Sequence, residues 1–129
     1  SEESRTNLVA DLDDDSAPWA KQYEAGLRNP KFNVFYNAPS LVIICGDKRS
    51  HSAEVDCALA ASYLMLSAAA RGLGTCWVDL GSQIRDPKIL EELELTDDLA
   101  IVAPIIVGYP KAIPAIPARN QPVILKTIS

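Results

Sequence analysis

The most reactive side chains in this sequence are three cysteines, Cys45, Cys57 and Cys76, and a single histidine, His51. The cysteines form no C-x-x-C pair, and with His51 they match no familiar zinc-site spacing. Each lies among apolar residues, which is typical of buried, reduced thiols in a cytosolic protein. A thiol nucleophile needs a nearby positive charge or helix N-terminus, and Cys76 has only Arg71 close in sequence. Thiol catalysis at Cys76 is therefore the weakest functional hypothesis, and His51, in a polar loop, is expected to be solvated.

The segment Trp77 to Leu80 follows directly on Cys76. The helix predicted before this segment must hold it in position. Between Asp56 and Arg71 lie fourteen uncharged residues, too few for a membrane-spanning helix, which needs about 17 to 25. A helix that is apolar all round is buried all round. Its many alanines let neighbouring backbones approach closely, so the pattern predicts a central helix shared by an interface. Gly72 and Gly74 then end it.

The other elements follow from short-range signals. A helix is expected from Ser16-Ala17-Pro18 to Leu27, and residues 1–15 form a loose or helical edge. Three strands are predicted over residues 41–46, 75–78 and 101–107, each apolar and flanked by turn residues. Asp86-Pro87 begins another helix, with Asp as N-cap and Pro in the first turn. The last twenty residues contain four prolines, so an extended C-terminal arm is expected, with strand character returning after Pro122.

The order of these elements predicts an α+β fold in which helices flank a small mixed sheet. A chain of 129 residues fits one domain, residues 1–129. Three strands leave unpaired edges, so we expect the domain to be incomplete on its N-terminal side. The net charge of -5 argues against nucleic-acid and anionic-membrane partners. The acidic first fifteen residues resemble no signal peptide, and a cytoplasmic protein is expected.

Four short motifs in register resemble the nitroreductase family of flavoproteins. They are Asn37-Ala38-Pro39 before a strand, the alanine-rich helix from Asp56 to Gly74, Thr75-Cys76-Trp77-Val78 after it, and Gly108-Tyr109-Pro110 after the third strand. The resemblance covers residues 35 to about 125. It implies a homodimer that binds FMN between its subunits, with the long helices in the interface. It also implies electron transfer from NADH or NADPH through the flavin to nitroaromatics, quinones or similar small aromatic acceptors.

The resemblance also assigns the cofactor site. The loop of Trp77, Val78, Asp79 and Leu80 matches the family's segment that presses against the flavin ring, with backbone N–H groups near N5. From the residues alone, without the resemblance, Trp77 is more simply a core aromatic and Asp79 a turn residue. No catalytic side chain is predicted, because a flavin carries the redox chemistry itself.

The phosphate site matches the family only in part. The arginine-rich stretch near the family's N-terminus has no counterpart here. Of a Lys-x-Arg near its C-terminus, only the arginine remains, as Arg119 in Pro117-Ala118-Arg119. Arg119 is therefore a candidate phosphate ligand, and a solvated surface charge is its alternative. The chain is either part of a longer flavoenzyme or a naturally short relative.

A second class of function stays open beside the enzyme. The chain could be a non-catalytic dimerisation or flavin-sequestering module that has lost its phosphate site. For the arm, the resemblance favours a crossing to the partner subunit, past the flavin phosphate, and a frayed terminus is the alternative. The sequence predicts neither the physiological acceptor nor the choice of nucleotide.

Overall fold

The computed structural model describes residues 1–13 and 18–128, which form helices and strands in the predicted order. The elements are α1 (Glu2–Asp13), a 3₁₀ helix (Pro18–Tyr23), α2 (Glu24–Leu27), β1 (Ser40–Asp47), α3 (Ala53–Ala69), β2 (Gly74–Trp77), a second 3₁₀ helix (Asp79–Ser82), α4 (Pro87–Glu92) and β3 (Leu99–Gly108). The three predicted strands and the helix after Asp86 are confirmed. The predicted helix start at Ser16 and Ala17 lies outside the described residues.

α1 is a regular helix, where the sequence predicts only a loose or helical edge. Leu8 and Leu12, four residues apart, lie on one face and are buried against Leu27 and Val34. Helices this polar form in proteins chiefly because tertiary contacts bury their few apolar side chains. The composition of the segment alone could not have indicated that contact.

The sheet has the order β1-β3-β2, and both of its pairings are antiparallel. The α+β class is confirmed, but the expected mixed sheet is wrong in its pairing. α3 connects β1 to β2, which run in the same direction because each is antiparallel to β3. A mixed sheet would result if these two strands were neighbours. β3 enters between them, so the described strands form no parallel pair.

Pro104 lies in the central strand, a position that proline normally cannot occupy because it has no N–H to donate. Its carbonyl accepts a hydrogen bond from the N–H of Val78 at 2.8 Å. The carbonyl of Val78 accepts in turn from the N–H of Gly81, also at 2.8 Å, and so does not require a donor from residue 104. The proline is tolerated because β2 has already turned into the 3₁₀ helix opposite it.

The two faces of the sheet are covered by different elements. Alternate residues of β3, Ala103 and Ile105, are buried against α3, around Ala61. Ile106 points the other way and packs against the cluster that contains Leu8. This alternation follows the two-residue period of a strand, and it makes β3 the centre of the described core.

α3 ends as predicted, but it is not buried all round by this chain. The N–H of Leu73 bonds to the carbonyl of Ala68 at 3.0 Å, and Gly72 has φ +75°, a conformation that favours glycine. Large apolar side chains remain exposed along the outer face of α3, namely Val55 (62%), Leu59 (56%), Tyr63 (75%) and Leu66 (69%). Within a single chain, then, α3 has one covered face and one uncovered face.

The C-terminal arm is extended, as predicted. Residues 109–128 form no helix or strand and are exposed throughout. The strand expected after Pro122 does not pair with this chain's own sheet. Leu125, for example, is 94% exposed. Among the described residues, no helix has the length and apolar character needed to cross a bilayer.

Candidate functional site

All four residues of the predicted flavin loop line one cavity of about 470 Å³. Its wall is formed by Gln22, Tyr23, Tyr36, Cys76, Trp77, Val78, Asp79 and Leu80, and we call it the Leu80 cavity. A volume of this size lies within the range of small-molecule sites, about 300 to 1,000 Å³. The predicted loop is therefore a continuous wall of a cavity.

The backbone of this loop presents two donors that have no partner among the described residues. At the start of the second 3₁₀ helix, neither the N–H of Asp79 nor that of Leu80 donates to an acceptor in the described residues. The Val78 N–H beside them is occupied by Pro104, and the Gly81 N–H after them by Val78. The first N–H groups of any helix lack partners within the helix. Two adjacent donors at the edge of a cavity can bind an acceptor on a ligand.

The side chains of the loop divide into two groups. Val78 and Leu80 are 5% and 6% exposed and belong to the core cluster of Leu8, so they anchor the loop. Trp77 is half-buried, and Asp79 is exposed. Consequently the loop offers a ligand its backbone, the indole of Trp77 and the carboxylate of Asp79. The sequence motif did not distinguish these two roles.

Gly81 allows this loop to pack closely against the core. A Cβ at this position would lie 2.3 Å from a ring carbon of Phe35 and 3.3 Å from Cβ of Pro104. Only a residue without a side chain lets Phe35 pack beneath the 3₁₀ helix. Any larger residue must displace either the ring or the loop that carries the two free donors.

Polar side chains of α1 hold the segment that follows the loop. The side-chain amide of Asn7 donates to the carbonyl of Gln83 at 2.7 Å. Four residues earlier, one carboxylate oxygen of Glu3 accepts from the backbone N–H groups of both Arg85 and Asp86. One face of α1 thus bonds residues 83–86, while its apolar face packs beneath Val78 and Leu80. The helix therefore supports the loop from beneath and holds the segment that follows it.

Two tyrosines that line the cavity, Tyr36 and Tyr23, were not predicted from the sequence. Tyr36 is 57% exposed and has φ +53°, and its ring packs edge-on against Phe32 with centroids 5.8 Å apart. Left-handed backbone is uncommon at non-glycine residues and marks a position held by its surroundings. Tyr23, at the end of the first 3₁₀ helix, is 43% exposed. The aromatic-Asn pair before Ala38-Pro39 is the one local signal that could have indicated Tyr36.

The fifth predicted site residue, Arg119, is not brought to the other four. It lies on the exposed arm and is not among the residues that line the Leu80 cavity. Within the described part of the chain, no lysine or arginine lines that cavity. The described residues of the cavity therefore offer aromatic side chains and backbone donors but no cation.

The cysteines differ in their surroundings. Cys57 is buried, and burial raises the pKa of the half-buried Cys45 thiol, with a smaller contribution from the nearby Cys57. Cys76 is exposed, contrary to the expectation that all three thiols are buried. His51 is exposed, as expected. In the described part of the chain, no cluster of histidine, cysteine and carboxylate side chains could hold a metal ion.

Comparison with known proteins gives a consistent result. Residues 4–109 match the model of the Nitroreductase family. Solved structures with the same fold include a nitroreductase with bound FMN from Bacteroides fragilis (22% identity, 100% of this chain and 71% of that one, TM-score 0.61). A nitroreductase with bound FMN from Desulfitobacterium hafniense has 17% identity over 96% of this chain and 66% of that one, with TM-score 0.69.

A third solved structure is closer in sequence over a shorter stretch. The FMN-dependent nitroreductase from Clostridium difficile R20291 is 30% identical over 61% of this chain and 50% of that one, with TM-score 0.52. This chain therefore spans 50% to 71% of the length of these three structures. No curated protein matches.

Proposed function

The chain belongs to the nitroreductase family, and from that premise we propose that it acts in an FMN-dependent oxidoreductase. The enzyme would transfer electrons from NADH or NADPH to nitroaromatics, quinones or similar small aromatic acceptors. The observation that carries this proposal is the pair of N–H groups of Asp79 and Leu80 on the wall of the Leu80 cavity, neither of which has a partner among the described residues.

The residues of the cavity suit the ring of FMN. A flavin ring needs a flat apolar surface and a hydrogen-bond donor directed at its N5 atom. Trp77 can supply the surface, and the backbone of Asp79 and Leu80 the donors. When bound, FMN supplies the two-electron redox chemistry, and the protein orients it and excludes competing reactions. The Asp79 carboxylate is not required as a base.

The phosphate is proposed to be held by Arg119 from a second copy of the chain. An arginine suits a phosphate because its guanidinium can donate two parallel hydrogen bonds. The arm that carries Arg119 is extended, and its apolar side chains are exposed, with Ile113 at 88% and Ile116 at 92%. Such an arm loses exposed apolar area if it lies on a partner subunit.

The homodimer is further supported by the outer face of α3. Its four exposed apolar side chains, from Val55 to Leu66, lie on one helix face, and exposed apolar patches of this kind mark interaction surfaces. A copy of the same chain offers the same face. A two-fold contact between the two α3 helices would cover both faces, as in most soluble homodimers.

A second candidate function is a dimerisation or flavin-sequestering module without turnover. One observation favours it, namely that no lysine or arginine of the described residues lines the Leu80 cavity. Such a module would bind the ring weakly and would not take electrons from a nicotinamide nucleotide.

The visible spectrum and anaerobic reduction of the purified protein distinguish the two. The enzyme should be yellow as isolated or after FMN is added, and NADH or NADPH should bleach the bound flavin. Reoxidation by a nitroaromatic or a quinone should restore the colour. A colourless protein that dimerises and ignores added FMN would refute the enzyme, and one that holds FMN without nucleotide-driven bleaching would favour the sequestering module.

A further inference from the structure

A second, larger cavity of about 730 Å³ adjoins the Leu80 cavity and shares Trp77 and Asp79 with it. We call it the His51 cavity, after the residue in the loop that follows β1. Because β1 and β2 run in the same direction, their following loops meet at one edge of the sheet, beside the N-terminus of α3.

The interior of the His51 cavity is partly apolar. Ile101 and Val102 of β3 line it, together with the indole of Trp77. A cavity of about 150 Å³ is large enough for benzene. Space is therefore not limiting for a compound with one or two aromatic rings, and Trp77 would lie between that compound and a ligand in the Leu80 cavity.

The charged rim of the cavity is acidic. Three carboxylates line it, those of Asp47, Glu54 and Asp79, against the single ammonium of Lys48. That ammonium donates to the backbone carbonyl of Asp97 at 2.8 Å, which directs it toward the segment before β3.

The carboxylates of the rim are not equivalent. Asp47 is paired with Arg49 at 2.7 Å, and hydrogen bonds from that guanidinium lower the pKa of the Asp47 carboxyl. The carboxylates of Glu54 and Asp79 form no ion pair or hydrogen bond with any described residue, although the backbone carbonyl of Asp79 accepts from the hydroxyl of Ser82 at 2.7 Å. These two carry the uncompensated charge.

The N-terminus of α3 opposes this charge to a limited extent. A helix N-terminus attracts anions through its free N–H groups. Here Glu54 and Asp56 occupy the first turn and offset that field. The hydroxyl of Ser52, the N-cap residue, donates to Asp56 at 2.8 Å and leaves the backbone uncapped by a side chain. The balance of fixed charge around the cavity remains negative.

From this geometry we propose that the His51 cavity binds flat aromatic compounds that are neutral or cationic, and that it disfavours anionic ones. The assignment concerns binding alone and does not depend on turnover. Among flat aromatic compounds of the same size, the site should bind a cation most tightly and an anion least tightly.

Three probes with the same ring test the proposal: nitrobenzene, 4-nitrobenzoate and 4-nitrobenzyltrimethylammonium. Their equilibrium dissociation constants are measured by calorimetry on the full chain, with and without FMN. Binding should be tightest for the cation and weakest for the anion. Glu54→Gln should reduce the ratio of the dissociation constants of the anion and the cation by roughly twofold to fivefold, the range for one partly exposed charge. Glu92→Gln, which removes an exposed carboxylate on α4 outside this cavity, is the matched control and should leave the order unchanged.

The outcomes separate this inference from the proposed function. Equal binding of the three probes, a preference for 4-nitrobenzoate, or an effect of Glu92→Gln as large as that of Glu54→Gln would overturn the site. A protein that binds no FMN but binds the three probes in the predicted order of affinity refutes the proposed function and leaves the cavity assignment standing. A flavin-loaded, active protein without that order refutes the cavity assignment alone.

Discussion

At the scale of single residues, Asp79 offers two groups with separable roles, a side-chain carboxylate and a backbone N–H. Asp79→Asn removes the charge and keeps the donor, so FMN should remain bound and turnover should stay within about tenfold of wild type. Asp79→Pro removes the donor at the first position of the 3₁₀ helix, where proline fits the backbone. FMN binding should then weaken by roughly twofold to tenfold, the worth of one neutral hydrogen bond.

Fluorescence titration with FMN measures both variants against wild type. Complete loss of turnover in Asp79→Asn with FMN still bound would make the carboxylate catalytic and contradict the backbone role. Equal FMN affinity in Asp79→Pro and wild type would remove the Asp79 N–H from the site.

Cys76 gives an independent readout at the same scale, because it lines the Leu80 cavity and is exposed. In the native protein, a thiol reagent at mild alkaline pH should label Cys76 first. Cys57 is buried, and the raised pKa of Cys45 keeps that thiol protonated and unreactive. Added FMN should slow the labelling of Cys76 by covering it.

Peptide mass mapping after labelling identifies which cysteine has reacted. Unfolding in urea is the control, since all three thiols should then react alike. Rapid labelling of Cys76 at saturating FMN would place the cofactor outside the Leu80 cavity.

At the scale of elements, α1 supports the loop through its polar face as well as through its leucines. Asn7→Ala removes the donor to the Gln83 carbonyl and leaves that half-buried acceptor unpaired. The free energy of unfolding should fall by about 1 to 3 kcal/mol. Urea denaturation measures the change. Thr6→Ala, whose exposed hydroxyl bonds only within the helix, is the control and should alter stability little. Equal effects of the two substitutions would show that the hydrogen bond to Gln83 adds nothing to the free energy of unfolding.

α3 allows a sharper comparison, because Leu64 and Leu66 point in different directions. Leu64 packs on the core cluster of Ala61, whereas Leu66 is 69% exposed. Leu64→Ala should lower the free energy of unfolding by about 2 kcal/mol, through lost packing against the sheet. Leu66→Ala should leave the fold of the chain intact and weaken its dimer.

Sedimentation at micromolar concentrations, combined with denaturation, separates the two effects. A wild-type chain that sediments as a folded monomer would overturn the assignment of the outer face of α3 to an interface. Dimer dissociation by Leu64→Ala without loss of stability would reverse the roles of the two faces.

At the scale of the whole molecule, the proposed dimer would cover both the exposed face of α3 and the extended arm. Deleting residues 121–129 removes Val123, Ile124 and Leu125, which are exposed in the single chain. If the arm lies on a second copy, the deletion should weaken both dimerisation and FMN retention, because the arm positions Arg119. Sedimentation and the flavin absorbance of the purified protein measure the two effects.

A full-length variant with serine at positions 123–125 is the matched control for chain length. It should weaken the dimer nearly as much as the deletion does, because the apolar side chains supply the contact. Unchanged dimerisation and unchanged FMN retention in both variants would make the arm a frayed terminus.

The sequence by itself determined the elements whose signals are local. Gly72 ended the helix because the left-handed cap needs a residue without Cβ. Asp86 and Pro87 began the next helix, and the Asp86 side chain does accept from the N–H of Lys88. The loop from Trp77 to Leu80 could be predicted as a site only through its resemblance to a family, because the role proposed for it lies in the backbone, which the side-chain sequence does not reveal.

Only the tertiary structure decided which elements meet. It placed β3 between β1 and β2, and it brought α1 beneath the loop, because Leu8 and Leu12 find apolar partners far away in sequence. Pro104 is tolerated in the central strand because the carbonyl of Val78 accepts from the N–H of Gly81 and needs no donor from residue 104. Most of these contacts join residues that are far apart in the sequence, and no short-range pattern encodes them.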